Sequence, residues 1–165
     1  MLKRFLLAAL IAIPALLGAQ NVKIGVIDTD AIITAMPEAK EADNKLADIS
    51  KKFEAEFQNL NKEYNTKVEE FQKLPETELQ TIKDRKARDI EDTQTRIMQF
   101  QQQAREELQK QQATLFAPIQ QKIMDAIESV GKEGGFTIIQ EKGALLFYAA
   151  PAQDITPLVK TKLGI

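Results

Sequence analysis

The chain has 165 residues, of which 22 are lysine or arginine and 24 are aspartate or glutamate, so its formal net charge is −2. It contains neither cysteine nor histidine, which excludes disulfide bonds, cysteine-ligated zinc and thiol catalysis, and removes the most common general base. Nucleic-acid binding normally needs a basic surface, so this charge balance argues against it.

The first 20 residues have the pattern of an export signal. Lys3 and Arg4 precede the apolar run Phe5–Leu17, which has the length of a signal-peptide core, and small residues follow it. We expect cleavage near Ala19 or Gln20, because the run is shorter than the roughly 20 apolar residues of a membrane span; a retained anchor helix is the alternative. Without this segment the chain has 20 basic and 24 acidic residues, a formal charge of −4.

The next segment, residues 21–37, predicts the first part of a small body. The β-branched run Val22–Ile27 is typical of a strand, and Asp28-Thr29-Asp30 after it is typical of a turn or a helix cap. Residues 31–36 predict a short helix, and Pro37 suits the first turn of the helix that follows.

Residues 38–118 predict a long helical hairpin, which we call the arm. No glycine occurs between residues 26 and 130, and the arm is rich in lysine, glutamate, glutamine, alanine and leucine, which are good helix formers. Pro75 interrupts this pattern, and Thr77 with Gln80 has the spacing of a capping box for a second helix. The tip of an antiparallel hairpin is therefore expected near Pro75.

The large apolar residues of the arm follow steps of three, four and four residues, which predicts an almost straight seam with one partner helix. Folding back at the tip places Phe53 opposite Phe100. The predicted packing residues of the arm are Phe53, Phe57, Tyr64, Phe71, Ile90, Ile97, Phe100 and Leu108. Lys86, Thr93 and Gln111 are polar seam positions, so we expect the half nearest the tip to pack less fully and to fray more easily.

Residues 119–165 predict the rest of the body. Pro118 is expected to kink the second helix where the arm joins the body, and a glycine-rich segment ends that helix. Residues 136–140 and 144–148 predict the two strands of a β-hairpin, and Asp154 predicts the cap of a last short helix.

Such a body has about three short strands, which is close to the minimum for a stable sheet. Its apolar residues therefore need cover from other copies of the chain. The predicted oligomerisation residues are Ile24, Val26, Ile138, Leu146 and Tyr148.

Asp28 and Asp30 are the closely spaced carboxylates of the predicted body that most resemble a site. A calcium loop needs several more oxygen ligands and a glycine at its sharp turn, so capping is the favoured interpretation. No nucleophile is paired with a base, and the glycines after residue 130 lack the lysine and hydroxyl of a phosphate loop. The sequence therefore predicts no catalytic, metal-binding or cofactor-binding residues.

Met98 and Phe116 lie off the seam and five helical turns apart, so they share one face of the second helix. We predict them as candidate contacts for an apolar client; burial near the proline kink is the alternative for Phe116. A basic cluster beyond the tip is interpreted as a solvated helix face because acidic residues interleave with it, while contact with an anionic lipid head group or an acidic client is the alternative. The cluster consists of Lys83, Arg85, Lys86 and Arg88.

The order of these elements resembles the Skp (OmpH) family of periplasmic chaperones. The similarity extends over the whole chain after residue 20, and none of it is a catalytic signature. The first strand, Lys23-Ile24-Gly25-Val26-Ile27-Asp28, is part of this resemblance. Besides the order of the elements, the most specific matches are Met36-Pro37-Glu38 at the start of the arm, Pro118-Ile119 with Ala126-Ile127 near its end, and Asp154-Ile155-Thr156 before the last helix.

This resemblance implies an α+β, mostly α fold, in which a small β body forms a homotrimer and long antiparallel helical hairpin arms project from it around a cavity. It implies that the cavity holds unfolded outer-membrane proteins in the periplasm, without ATP or a cofactor and with at most transient membrane contact, on their way to the outer-membrane assembly machinery. The best-known members are strongly basic, whereas this chain is acidic. No lipopolysaccharide site is therefore carried over, and client capture is expected to depend less on salt.

Two other functions compete with this one. An exported structural or adaptor coiled coil would bind one folded partner through the arm, instead of many unfolded clients. An exported enzyme that uses carboxylates alone would need Asp28, Asp30 and a third acid such as Asp154 to converge on one pocket.

Overall fold

The computed structural model describes residues 22–165, and the expected export signal lies outside them. The fold is α+β and mostly helical, as predicted. The elements are β1 (Ile24–Ile27), α1 (Thr29–Ala35), α2 (Pro37–Gln72), α3 (Gln80–Gly134), β2 (Ile138–Glu141), β3 (Gln153–Asp154) and α4 (Thr156–Leu163).

The two long helices α2 and α3 form the predicted hairpin. They have 36 and 55 residues, so α2 alone is about 54 Å long at 1.5 Å per residue. Pro37 occupies the first turn of α2. Backbone N–H groups in the first turn have no acceptor within the helix, so the lack of an N–H in proline breaks no helical hydrogen bond there. The loop at residues 73–79 contains Pro75 and joins the helices, which confirms the predicted position of the tip.

The predicted capping box at the tip is wrong. The helix α3 begins at Gln80 with Leu79 as its N-cap, and no side chain caps it. Thr77 lies two residues before that cap, too early for its hydroxyl to reach the first turn. Instead, Glu78 accepts a hydrogen bond from the Leu79 N–H at 3.1 Å. The helix then continues through Pro118 without interruption, and the kink there stays a prediction.

The body contains a three-stranded parallel sheet in the order β2-β1-β3. One face of the sheet packs against α1, α4 and the end of α3, and there the main hydrophobic core lies. The fully buried side chains of this core include Ile32, Met36, Ile155 and Val159. The start of α2 belongs to the same core through Ala39 and Ala42, so the arm is anchored in the body by both of its helices.

The predicted β-hairpin of residues 136–140 and 144–148 is wrong. The strand β2 exists but pairs in parallel with β1, and a short 3-10 turn, Lys142–Ala144, turns the chain away from the sheet edge. Residues 145–152 then pass over the open face of the sheet, and the chain returns as β3 on the other side of β1. Strand periodicity indicated extended backbone after Gly143 but not which edge that backbone would join.

The glycine-rich end of α3 is confirmed and has a clear physical cause. Gly135 has a φ of 64°, a left-handed conformation that strongly favours glycine. Its N–H donates to the Lys132 carbonyl at 3.2 Å, and the Phe136 N–H donates to the Gly131 carbonyl at 2.9 Å. This turn directs Phe136 onto the core, where it packs beside the sheet.

Ion pairs join separate elements at several points of the described chain. In four of these pairs the pKa of the glutamate is lowered, mainly by a hydrogen bond from a lysine. For Glu63, whose partner across the arm is an arginine, that lysine is Lys67 of its own helix. A carboxylate with a lowered pKa in the folded state stabilises the fold above its unfolded pKa and loses that contribution as the pH falls through the folded pKa. The four pairs are Glu38–Lys122, Glu63–Arg96, Glu70–Lys86 and Glu133–Lys162.

We therefore expect the melting temperature to be nearly constant between about pH 6 and 8, because no histidine titrates there, and to fall as the pH drops below about 4.5. Circular dichroism melts measure this directly. The variant Glu38→Gln/Glu133→Gln should melt lower at neutral pH but lose less stability on acidification. A melting temperature that rises on acidification would contradict the role of these pairs.

Candidate functional site

Of the three carboxylates predicted as the alternative catalytic site, Asp28 and Asp154 accept hydrogen bonds from backbone N–H groups, whereas Asp30 is exposed. Because the sheet is parallel, Asp28 after β1, Glu141 at the end of β2 and Asp154 in β3 lie at the same sheet edge. Asp28 Oδ1 accepts from the Ala31 N–H at 2.8 Å, and Asp154 Oδ1 accepts from the Thr156 N–H at 2.9 Å. Both oxygens of Glu141 lie 3.3 Å from the Thr29 nitrogen.

These contacts confirm Asp28 as the N-cap of α1. The N-cap of α4 is Ile155 and not Asp154, because the Asp154 side chain bonds the backbone two residues ahead of it, at Thr156, from one position before the cap. The hydrogen bond with Thr156 lowers the pKa of Asp154, so that carboxyl is held as an anion and is unsuited to act as an acid near neutral pH. Asp30 is exposed in the first turn of α1. Among residues 22–165, no group of three metal-ligating side chains comes together.

The sheet face opposite the core is apolar and only partly covered. Ile24 and Ile138 are paired neighbours on it, and Val26 beside them is fully buried. The passing segment contributes Leu145, Phe147 and Tyr148 to the groove above this face. The exposed fractions are 50% for Ile138, 83% for Phe147 and 107% for Leu146.

The structure thus brings together four of the five predicted oligomerisation residues, namely Ile24, Val26, Ile138 and Tyr148. Leu146 points into solvent instead of lining the groove. Sequence reasoning missed Phe147, because a regular strand would place it on the face opposite Leu146 and Tyr148. Its membership of the apolar run at residues 144–149 was the available signal.

The body half of the arm is held by aromatic packing. The rings of Phe53 and Phe100 lie edge to face, with their centroids 6.0 Å apart and their planes at 73°, a favourable arrangement for aromatic pairs. Phe57 and Leu108 line the same groove between α2 and α3. All eight predicted packing residues of the arm are half-buried, as a seam between two helices allows.

The tip half of the arm contains a cluster of polar contacts, which we call the distal polar cluster. Thr93 is only 1% exposed; its hydroxyl accepts from Lys67 Nζ at 2.8 Å and donates to the Asp89 carbonyl at 2.8 Å. The ion pairs around it are Lys67–Glu63 at 2.7 Å, Arg96–Glu63 at 3.3 Å and Lys86–Glu70 at 2.9 Å. Lys86 and Thr93 are two of the polar seam positions that the sequence indicated.

The two candidate client contacts differ in exposure. Met98 is 57% exposed, whereas Phe116 is partly buried and packs against the body core. Around Phe116, the outer face of α3 is uncharged and carries Gln109, Gln112 and Gln120. Within the described residues, none of the helices has the length and apolarity that crossing a membrane would require.

Two comparisons relate this geometry to known proteins. The family model for outer membrane protein (OmpH-like) matches residues 23–163. The chaperone protein Skp of Yersinia enterocolitica is 26% identical over 161 residues, which cover 94% of this chain and 95% of that protein.

A solved structure supports the fold. A crystal structure from Caulobacter crescentus, described as an OmpH-like outer membrane chaperone, superposes with a TM-score of 0.72 at 16% identity, over 85% of this chain and 82% of that one. At this identity the likeness speaks for the fold alone. The match of the family model, however, extends over both the arm and the body, and the chain therefore belongs to the Skp/OmpH family, whose members are chaperones and not enzymes.

Proposed function

We propose that this chain is a periplasmic, ATP-independent holdase that binds unfolded outer-membrane proteins between helical arms and prevents their aggregation. The observation that carries the proposal is how little of the arm is buried. Between residues 43 and 118 only Leu60 and Thr93 are buried, so the apolar seam remains accessible along its length. The membership of a chaperone family supports the same function.

Such an arm suits weak and multiple binding. Half-buried aromatic rings at Phe53, Phe57 and Phe100 offer apolar contact to a client without a closed pocket, and exposed Met98 adds a side chain that adapts to different shapes. Phe116 is the weaker candidate contact, because its ring already packs against the core. Many such contacts hold a client without fixing one conformation, and release requires a downstream fold or partner that binds the client better.

Association into a homotrimer would give the arms a cavity to enclose. The support for association is the partly covered sheet face, with Leu146 and Phe147 exposed beside it. Contiguous apolar surface of this kind is typical of protein interfaces, and a sheet of three short strands gains stability from further cover. The open face lies at the body, so it would leave the arms free to project.

The proposed partners are unfolded outer-membrane proteins and, for delivery, the outer-membrane assembly machinery. The Yersinia relative is named as the chaperone Skp, and the export signal expected at residues 1–20 suits a periplasmic location. The acidic net charge gives no support for binding lipopolysaccharide, so contact with membranes is proposed to be transient at most.

An aggregation assay tests the holdase function. Several unrelated β-barrel outer-membrane proteins are diluted from urea with and without the chain, and light scattering is followed. We expect the chain to suppress the aggregation of every one of these proteins at amounts near stoichiometric with them, and addition of ATP to leave the light scattering unchanged. If the chain suppressed the aggregation of none of these proteins and bound one folded partner tightly, the result would favour the adaptor function instead.

Substitutions at the open sheet face test the association. We expect Leu146→Asp/Phe147→Asp to convert the oligomer to monomers, because each change places a charge in apolar packing, without loss of helicity, since both side chains are exposed in the single chain. Light scattering after chromatography gives the mass. Leu79→Asp is the matched control, because Leu79 is 66% exposed but lies at the tip of the arm. An unchanged mass of the double variant would show that another surface makes the oligomer.

Shortening the arm tests whether the holding of clients and the assembly of the oligomer depend on different parts of the chain. Deletion of one eleven-residue repeat from each helix keeps the seam in phase, so we expect the oligomer to persist while suppression of aggregation weakens for large clients and persists for small ones. Loss of the oligomer would instead mean that the arms themselves make the assembly.

A further inference from the structure

The seam of the arm changes its chemistry along its length. Near the body, α2 and α3 meet through Phe53, Phe57, Phe100 and Leu108. Towards the tip, the seam still contains half-buried Tyr64, Phe71 and Ile90, but Thr93 and Lys86 take two of its positions. Hydrogen bonds and ion pairs also link the helices there. Apolar contact is insensitive to moderate salt, whereas exposed ion pairs weaken as salt screens them.

The contacts of the distal polar cluster form a chain across the two helices. Glu63 of α2 pairs with Arg96 of α3 and with Lys67 of its own helix, and Lys67 in turn donates to Thr93 of α3. About two helical turns nearer the tip than Glu63, Glu70 of α2 pairs with Lys86 of α3. Loss of the charge on Glu63 therefore affects two cationic partners at once.

The buried hydroxyl of Thr93 makes this arrangement specific. When α2 and α3 are together, Thr93 is 1% exposed and both accepts and donates a hydrogen bond. A polar group at a seam stabilises a helix pair less than an apolar one would, but it favours a single register. Separation of the helices returns the hydroxyl and its charged partners to water, so the distal seam opens at a lower cost than the aromatic seam.

We propose that the distal polar cluster is a salt-sensitive closure of the tip half of the arm, which opens separately from the half next to the body. Salt would loosen the tips while the aromatic seam and the body stay closed. If the chain holds clients as proposed above, this gives the arms an adjustable end for clients of different size; the closure itself does not depend on that function.

Amide hydrogen exchange of the mature chain, followed by mass spectrometry, tests the proposal. The exchange is measured in about 20 mM and about 500 mM sodium chloride, which differ severalfold in screening length. Because three partly exposed pairs each contribute modestly, we expect amides of residues 60–72 and 82–97 to exchange about threefold to tenfold faster at high salt. Amides of residues 46–58 and 100–112 are the internal control and should change little.

Glutamine substitutions identify the groups responsible. Glu63→Gln/Glu70→Gln removes the acidic partners of all three pairs, so the distal amides should exchange quickly at low salt and lose their dependence on salt. Glu69→Gln is the matched control: Glu69 pairs with Lys73 at 3.7 Å, but within α2, so the dependence should persist. Circular dichroism verifies that both variants stay helical.

Three results would overturn the proposal. The first is equal exchange of the distal amides of the unmodified chain at both salt concentrations. The second is an equal effect of salt on the distal and the body halves of the arm. The third is a loss of salt dependence in Glu69→Gln as complete as in the double variant, which would assign the effect to general charge on the arm.

Discussion

A pair of helices can bury only the one stripe that each presents to the other, and this limit governs the molecule. The arm takes up about half of the chain, yet its predicted packing residues stay half-buried, and no further layer covers them in the described structure. Its stability therefore depends on the body, where the start of α2 and the end of α3 enter one core with α1 and α4. The same limit leaves apolar side chains accessible along the arm, which the proposed holdase function requires.

The small sheet of the body is also covered incompletely within a single chain. Helices cover one face of its three-stranded sheet, and the segment after β2 covers the other face incompletely, leaving Phe147 and Leu146 exposed. The carboxylates Asp28, Glu141 and Asp154 accept hydrogen bonds from backbone N–H groups, so these three stabilise the local fold. In the proposed function, the open sheet face would serve association and the arm would bind clients.

Most of the architecture could be predicted from the sequence, because local signals determine it. A stretch without glycine, one proline at the tip and an eleven-residue apolar repeat were enough to predict the hairpin and the contact between Phe53 and Phe100. The capping box at Thr77 failed because α3 begins two residues later than the pattern indicated. The β-hairpin failed because strand pairing is a long-range choice: β1 pairs in parallel with strands more than 100 residues away. The distal polar cluster was visible only as polar seam positions, since its partners depend on the register of the two helices.

The central claim is that association through the body lets the exposed arms enclose an unfolded client. Native mass spectrometry tests it most directly, on the mature chain mixed with one unfolded β-barrel outer-membrane protein diluted from urea. The account predicts a trimer of the chain alone and, with the client, a complex of three chains and one client. A chain that remains monomeric, or an oligomer that retains no client, would contradict it.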